Sequence, residues 1–238
     1  LMGRVLATAL EKFPGLRLAA ISGGQFDNVI CSRCDAVVAL PAGSGAAFTA
    51  FIREFDAALK NEYAVTDPGV TLTCAAAEAA KAVPAERTAT LVQALAAMPQ
   101  GVEAMDTDFP GLVQTSLNMG VVKLNGDGLH ITFSIRSSIA SRKLMLAQRV
   151  RAVAALAGGT VAERGVYPGW QYKRESKFRD TLLAAYKDLT GKDGVVEATH
   201  GGLECGLLME KIPGLDAVSM GPELHDVHSV RERLNVPS

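Results

Sequence analysis

Two runs of alternating apolar residues, 113–124 and 128–136, flank the tetrapeptide Asn125-Gly126-Asp127-Gly128. Asn-Gly favours a tight hairpin because both central residues of such a turn need positive φ, which asparagine and glycine tolerate. The pair therefore predicts a β-hairpin, and the elements before it must supply the sheet it joins. Apolar side chains at helical spacing over residues 2–13 end at Pro14-Gly15. Strands are expected at 16–22 and 35–40, and a helix at 46–63. A strand at 70–75 and a helix at 86–98 follow, the latter stopped by Pro99-Gln100-Gly101. Beyond the hairpin come a helix at 141–157, closed by Gly158-Gly159, and a strand at 160–166. This order predicts an α+β unit with a mainly antiparallel sheet and helices on one face. It also suggests an internal pseudo-repeat, although identity between the halves is too low to prove one.

The pattern changes near residue 165. Tyr167-Pro168-Gly169-Trp170 is a rigid aromatic turn holding the only tryptophan. A charged helix at 176–190 carries Leu182, Leu183, Tyr186 and Leu189 on one face. Then come a strand at 195–198, a glycine-rich turn, a short helix through Met209, and a buried strand at 215–220. Strand, glycine turn, helix, strand is an α/β pattern, with polar residues in the loops at strand ends. A boundary near 165 is expected.

Composition excludes some partners. With 24 basic and 25 acidic residues the net charge is −1, so there is no long-range field to draw a polyanion such as nucleic acid. No apolar run reaches the roughly 18–20 residues of a membrane span. Four scattered cysteines and the lack of a signal-like start favour a reducing cytoplasm over a disulfide scaffold. Leu1 opens directly into a helical pattern, which predicts a piece of a longer protein.

Chemistry-bearing groups are densest in Gly221-Pro222-Glu223-Leu224-His225-Asp226-Val227-His228-Ser229-Val230-Arg231-Glu232. A ligand histidine needs one ring nitrogen aimed at the metal and a partner on the other. The segment is either part of a metal site or a surface loop with two solvated histidines. It cannot close a zinc site alone, since that takes three or four protein ligands. His200-Gly201-Gly202-Leu203-Glu204-Cys205-Gly206 lets backbone approach a ligand closely, or is a plain strand-to-helix turn. Arg136, leaving an apolar strand among serines, could fork onto a carboxylate or be a surface arginine. Asn28, after Gly23-Gly24, is turn chemistry or an amide donor to a substrate oxygen. Cys31-Ser32-Arg33-Cys34 lacks a second pair and a nearby histidine, so both thiols are expected to pack. Asn118-Met119-Gly120 has no evident chemical partner and reads as strand.

Taken together, these segments resemble a known family. Asn28-Val29-Ile30, Ser116-Leu117-Asn118-Met119-Gly120-Val121-Val122, Ile135-Arg136-Ser137-Ser138, Tyr167-Pro168-Gly169-Trp170, the His200–Gly206 run, Ile212-Pro213-Gly214 and the Gly221–Leu234 region occur in this order. They resemble the C-terminal half of the aminoacyl-histidine (Xaa-His) dipeptidases, of the bacterial carnosinase type, within the two-metal aminopeptidase and dipeptidase superfamily. The likeness runs from about residue 16 to the end.

The resemblance implies a lid domain over 1–164, used for substrate binding and dimerisation, and a returning segment of a catalytic α/β domain over 165–238. It implies a homodimer, a small dipeptide substrate and two divalent metals that activate a bridging water. Those metals would be zinc, or cobalt or manganese, about 3.5–4 Å apart. His228 matches the last metal ligand, and His225 falls in its supporting shell. Arg136 and Asn28 match lid residues that bind the substrate carboxylate and polarise its carbonyl. Gly202 matches a backbone contact to the substrate's C-terminal end. Gln25-Phe26-Asp27 departs from the more basic loop of the family at Asn28. The family's remaining ligands, its general base and its lid histidine are absent from these 238 residues. The chain alone is therefore expected to be inactive. Two other readings stay open: a non-catalytic lid-type interaction or dimerisation module, and a related hydrolase of other dipeptides or acyl-amino acids.

Overall fold

In the computed structural model, residues 1–78, 81–126, 128–227 and 229–236 are described. They divide into two compact units. The first comprises Leu1–Ala104, Thr115–Ile135 and Ser141–Arg164; the second comprises Met105–Gln114, Arg136–Ala140 and Gly165–Ser238.

The first unit is a sheet with helices. Helix α1 (Met2–Lys12) leads into β1 (Arg17–Gly23) and β2 (Cys34–Ala39), then α2 (Gly45–Glu62) and α3 (Ala85–Ala97). Strand β3 (Gly101–Met105) precedes the long hairpin arms β4 (Val113–Asn125) and β5 (Gly128–Ser137), and α4 (Ala140–Leu156) follows. The order is β2-β1-β4-β3, with β5 also paired to β4. β1 runs antiparallel to β2 and, at Ser22 and Gly23, to Lys123 and Val122 of β4. The hairpin expected from Asn125-Gly126 is present; Asp127 lies outside the described residues.

Three apolar clusters hold this unit together. Leu6, Val92 and Leu95 of α1 and α3 meet Leu18, Ile21 and Val122 of the sheet. Val5, Ala9 and Leu16 pack on Phe51 and Ile52 of α2, with Phe13, Phe48 and Phe55 partly buried around them. Phe13 stands edge-on to Phe48 and Phe51, with ring centroids 5.3 and 5.7 Å apart, the geometry their quadrupoles favour. Leu117 of β4 packs on Leu146 and Val150 of α4. Thr88 is fully buried yet satisfied: its hydroxyl accepts from Leu18 N (3.0 Å) and donates to Val83 O (3.3 Å). A buried hydroxyl without those partners would oppose folding.

The second unit has little regular structure among the described residues. It holds α5 (Lys177–Thr190), α6 (Glu204–Lys211) and a two-residue ladder between β6 (Leu224–His225) and β7 (Arg233–Leu234). Ser176 caps α5, its hydroxyl accepting from Arg179 N at 3.1 Å and donating to Asp216 at 2.9 Å. Such a cap satisfies one of the free amides at a helix start.

Several expected strands are not there. Residues 70–75 form no ladder; the Leu72 amide instead donates to Asp56 Oδ1 on α2, at 2.7 Å. Residues 160–166, 195–198 and 215–220 are extended or irregular and unpaired. The last was expected to be buried, but Met220 is 67% exposed. An alternating or apolar run becomes a strand only when a neighbouring backbone completes its hydrogen bonds. No described segment does so for these three. Conversely β3 escapes the sequence pattern, because Gly-Val-Glu-Ala-Met has weak strand propensity and gains its place by pairing with β4.

Candidate functional site

In the second unit three segments far apart in sequence meet. Arg136 is exposed near the end of β5, and the next residue, Ser137, is buried. Ser137 Oγ accepts from Ile139 N at 3.0 Å, and Ser138 N donates to Gln114 O at 3.2 Å, so the backbone behind Arg136 is fixed. The 167–170 turn presses on it. A Cβ on Gly169 would sit 2.5 Å from Ser138 O and 2.9 Å from Ser137 O, so only glycine fits there. The 200–206 segment packs on the same turn: a Cβ on Gly202 would lie 2.4 Å from Tyr167 Cδ1, and one on Gly206 3.3 Å from Trp170 Cβ.

Electrostatics link the first and third segments. His200 is partly buried, and burial, then the positive charge of Arg136, hold its pKa below the usual histidine value. Both effects favour the neutral ring, which has one nitrogen to donate and one to accept. Arg136 makes no hydrogen bond or ion pair among the described residues. Gly202 is exposed, and Gly201 N donates to Thr199 Oγ1 at 3.1 Å. The arrangement is a guanidinium without a partner among the described residues near an imidazole, beside an exposed glycine backbone packed on an aromatic ring. A planar anion such as a carboxylate suits that set.

The histidine-rich segment lies only partly within the described residues. His228 lies outside the described residues. His225 is in β6, its Nε2 3.3 Å from Glu223 Oε1. Asp226 is in the left-handed region at φ 52° and pairs its carboxylate with Arg233. No group of three or more histidine, cysteine, aspartate or glutamate side chains that could hold a metal exists among the described residues. These residues therefore do not form a metal centre by themselves.

Asn28 belongs to the first unit. It lies in an exposed loop, 25–30, that connects β1 to β2. The expectation that Asn118 lacks a partner is incorrect: its Nδ2 donates to Asp27 O at 2.8 Å and to Val29 O at 2.9 Å. The signal was available, since asparagine is a poor strand former in the middle of an apolar arm. Of Cys31 and Cys34, the latter, the first residue of β2, packs against the apolar cluster that α1 and α3 form with the sheet. Burial, with smaller contributions from Cys31 and Asp35, pushes its pKa to about 11, so it is a packing thiol rather than a ready thiolate.

Comparison with known proteins gives a consistent answer. Residues 2–67 match the peptidase dimerisation domain family. The whole chain aligns with the cytosol non-specific dipeptidase of Escherichia coli (strain K12), 32% identical over 239 residues, covering 49% of that protein. The fold superposes on the crystal structure of the aminoacylhistidine dipeptidase from Vibrio alginolyticus with a TM-score of 0.88 and 30% identity, over 98% of this chain and 48% of that one. The chain spans about half the length of the relatives it matches, and it is homologous to their C-terminal half.

Proposed function

We propose that this chain is the C-terminal half of a metal-dependent dipeptidase that hydrolyses Xaa-His dipeptides. The observation that carries the reading is the end-to-end match to half of two dipeptidases, at 30–32% identity and a TM-score of 0.88. The Arg136–His200–Gly202 cluster adds a chemical reason. An exopeptidase acting on dipeptides must measure chain length by its terminal carboxylate, and a fork-shaped cation does that. Arg136 takes this role, Gly202 contacts the same end through its backbone, and Asn28 donates its amide to the scissile carbonyl oxygen. A donor placed where negative charge develops lowers the barrier more than one placed on the ground state.

His228 is the proposed contribution of this chain to a centre of two divalent metals, zinc or alternatively cobalt or manganese. Such a centre supplies an activated water when loaded. Its other ligands and the general base would come from the half that this chain lacks. Unpaired extended segments and exposed apolar side chains in the second unit, such as Val195 and Met220, fit a surface completed by that half. A homodimer is proposed from the dimerisation-domain match over 2–67. A cytoplasmic site follows the cytosol relative; no described helix is long and apolar enough to cross a membrane.

The two relatives differ in their names, one non-specific and one for aminoacyl-histidine. The test is therefore hydrolysis of β-alanyl-histidine, glycyl-histidine and glycyl-leucine by the full-length protein with zinc, cobalt or manganese. Cleavage confined to the histidine dipeptides supports the narrow reading, and equal cleavage of all three replaces it with a broader dipeptidase. The 238-residue chain assayed alone should be inactive. A second reading, a non-catalytic dimerisation module, is favoured by the family match at 2–67. It would gain if the full-length protein dimerises but cleaves none of the three.

A further inference from the structure

Asn118 holds the backbone on both sides of Asn28. Its single amide nitrogen donates to the carbonyl oxygens of Asp27 (2.8 Å) and Val29 (2.9 Å), the residues immediately before and after. The loop is also locked onto β4 by two interleaved glycines. Gly24 has φ +71°, and a Cβ there would fall 1.7 Å from Gly120 O. A Cβ on Gly120 would fall 2.4 Å from Phe26 O and 2.5 Å from Asp27 Cα. The loop therefore lies directly on the strand, with no room for a side chain between them.

We propose that Asn118 is a positioning residue that fixes the loop carrying Asn28 in the geometry in which the Asn28 amide meets the substrate carbonyl. The claim rests on the reading of Asn28 given above. Two features separate it from ordinary strand packing. The Asn118 Oδ1 is buried and finds no donor among the described residues, a cost that a β-branched residue at this strand position would avoid. The Nδ2 bonds go to a solvent-exposed loop and not to the sheet. Asn118 thus accepts an unmet acceptor in exchange for two restraints on one loop, and Asn28 is the side chain those restraints bracket.

The test uses the full-length enzyme with Asn118→Ala and Asn118→Thr. Threonine is a good strand former and retains at most one of the two donors, so a purely structural position should accept it. Both variants are expected to lower kcat by about 10–100-fold, since small misplacement of a group acting on the transition state costs rate. KM should change by less than about threefold, because binding of the carboxylate end is untouched. Combined with Asn28→Ala, neither variant should lower kcat further, as two residues acting through one contact do not add. Hydrogen–deuterium exchange should quicken over residues 24–30 and not over β4.

Wild-type kcat in Asn118→Thr, or losses that multiply in the double variant, would overturn the proposal. If Asn28→Ala leaves kcat unchanged while Asn118→Ala lowers it, the link to Asn28 is overturned although the loop is clamped. If the full-length protein cleaves no dipeptide, the functional reading fails instead. Exchange then decides the clamp alone, and unchanged protection of 24–30 in both variants sinks it.

Discussion

The two units spend their apolar residues differently. Every buried hydrophobic residue of the described chain, from Val5 to Val150, lies in the first unit. The second unit buries Gln114, Ser137, Ser176 and Gly206 but none of its large apolar side chains. Instead Val166, Leu189, Val195, Met220 and Val230 are each more than half exposed. Helix α5 buries no residue at all, although Leu182, Leu183, Tyr186 and Leu189 share a face. A sheet closed by its own helices stabilises itself, while an amphipathic helix without a partner surface gains little. Polar bonds and close packing on glycine order the second unit: the Ser176–Asp216 cap, the Gly169 and Gly202 contacts, and the Arg174–Asp108 pair at 2.8 Å.

The strongest way to break this contrast is to cut the chain after residue 164, which keeps the whole first unit together and separates from it all of the second except its 105–114 and 136–140 pieces. Residues 1–164 should fold with a cooperative thermal transition, and 165–238 should give none by circular dichroism. A cooperative melt of the isolated 165–238 segment would refute the contrast. Next in size is Arg136→Ala in the full-length protein. It should lower kcat/KM for dipeptides by about 10²-fold through loss of charge-assisted hydrogen bonds to the substrate carboxylate. Arg136→Lys should recover only part of this, because an ammonium lacks the planar fork. A wild-type value in Arg136→Ala would remove the carboxylate role.

Smaller, and a direct comparison of the units, is a pair of truncations measured by urea unfolding of this chain. Leu18→Ala removes a side chain that is 1% exposed and should cost about 2–5 kcal/mol. Leu183→Ala, on the unburied helix, should cost less than about 1 kcal/mol. Equal losses would show that α5 is packed as tightly as the sheet. The smallest effect is on the pH response of His200. Its folded pKa lies below the ordinary 6.5, so the folded form binds its proton less well than the unfolded form. Its stabilising contribution is complete above pH 6.5 and declines as pH falls from there toward the folded pKa. A carboxylate bound at Arg136 would offset the positive charge, so NMR titration of His200 with added acetate should move its pKa up. No movement would separate Arg136 from anion binding.

Much of the first unit was legible in the sequence because its signals are local. Helical spacing over 2–13, 46–63 and 86–98, and Asn125-Gly126 between alternating arms, appear as α1, α2, α3 and the β4–β5 hairpin. The resemblance carried by short motifs also held, because those motifs are consecutive residues and survive as printed text. Legibility failed where a structure depends on a partner. Residues 70–75, 195–198 and 215–220 have strand-like composition, but strand pairing is a relation between two backbones and their second backbone is not among the described residues. β3 has poor composition and pairs all the same.

The candidate site divides along the same line. By itself the sequence nominated Arg136, Asn28, Gly202 and His228 as candidates, since residue type and motif fix the available donors and charges. Only the tertiary structure placed the 137–138, 167–170 and 200–206 segments against one another and put His200 within reach of the Arg136 charge. Only it turned Asn118 from an apparent strand residue into the clamp of the Asn28 loop, across a sequence separation of 91 residues from Asp27. Local pattern encodes the conformational preference of a few neighbouring residues. Contacts between distant segments are selected by the packing of the whole chain, and no short window of sequence contains them.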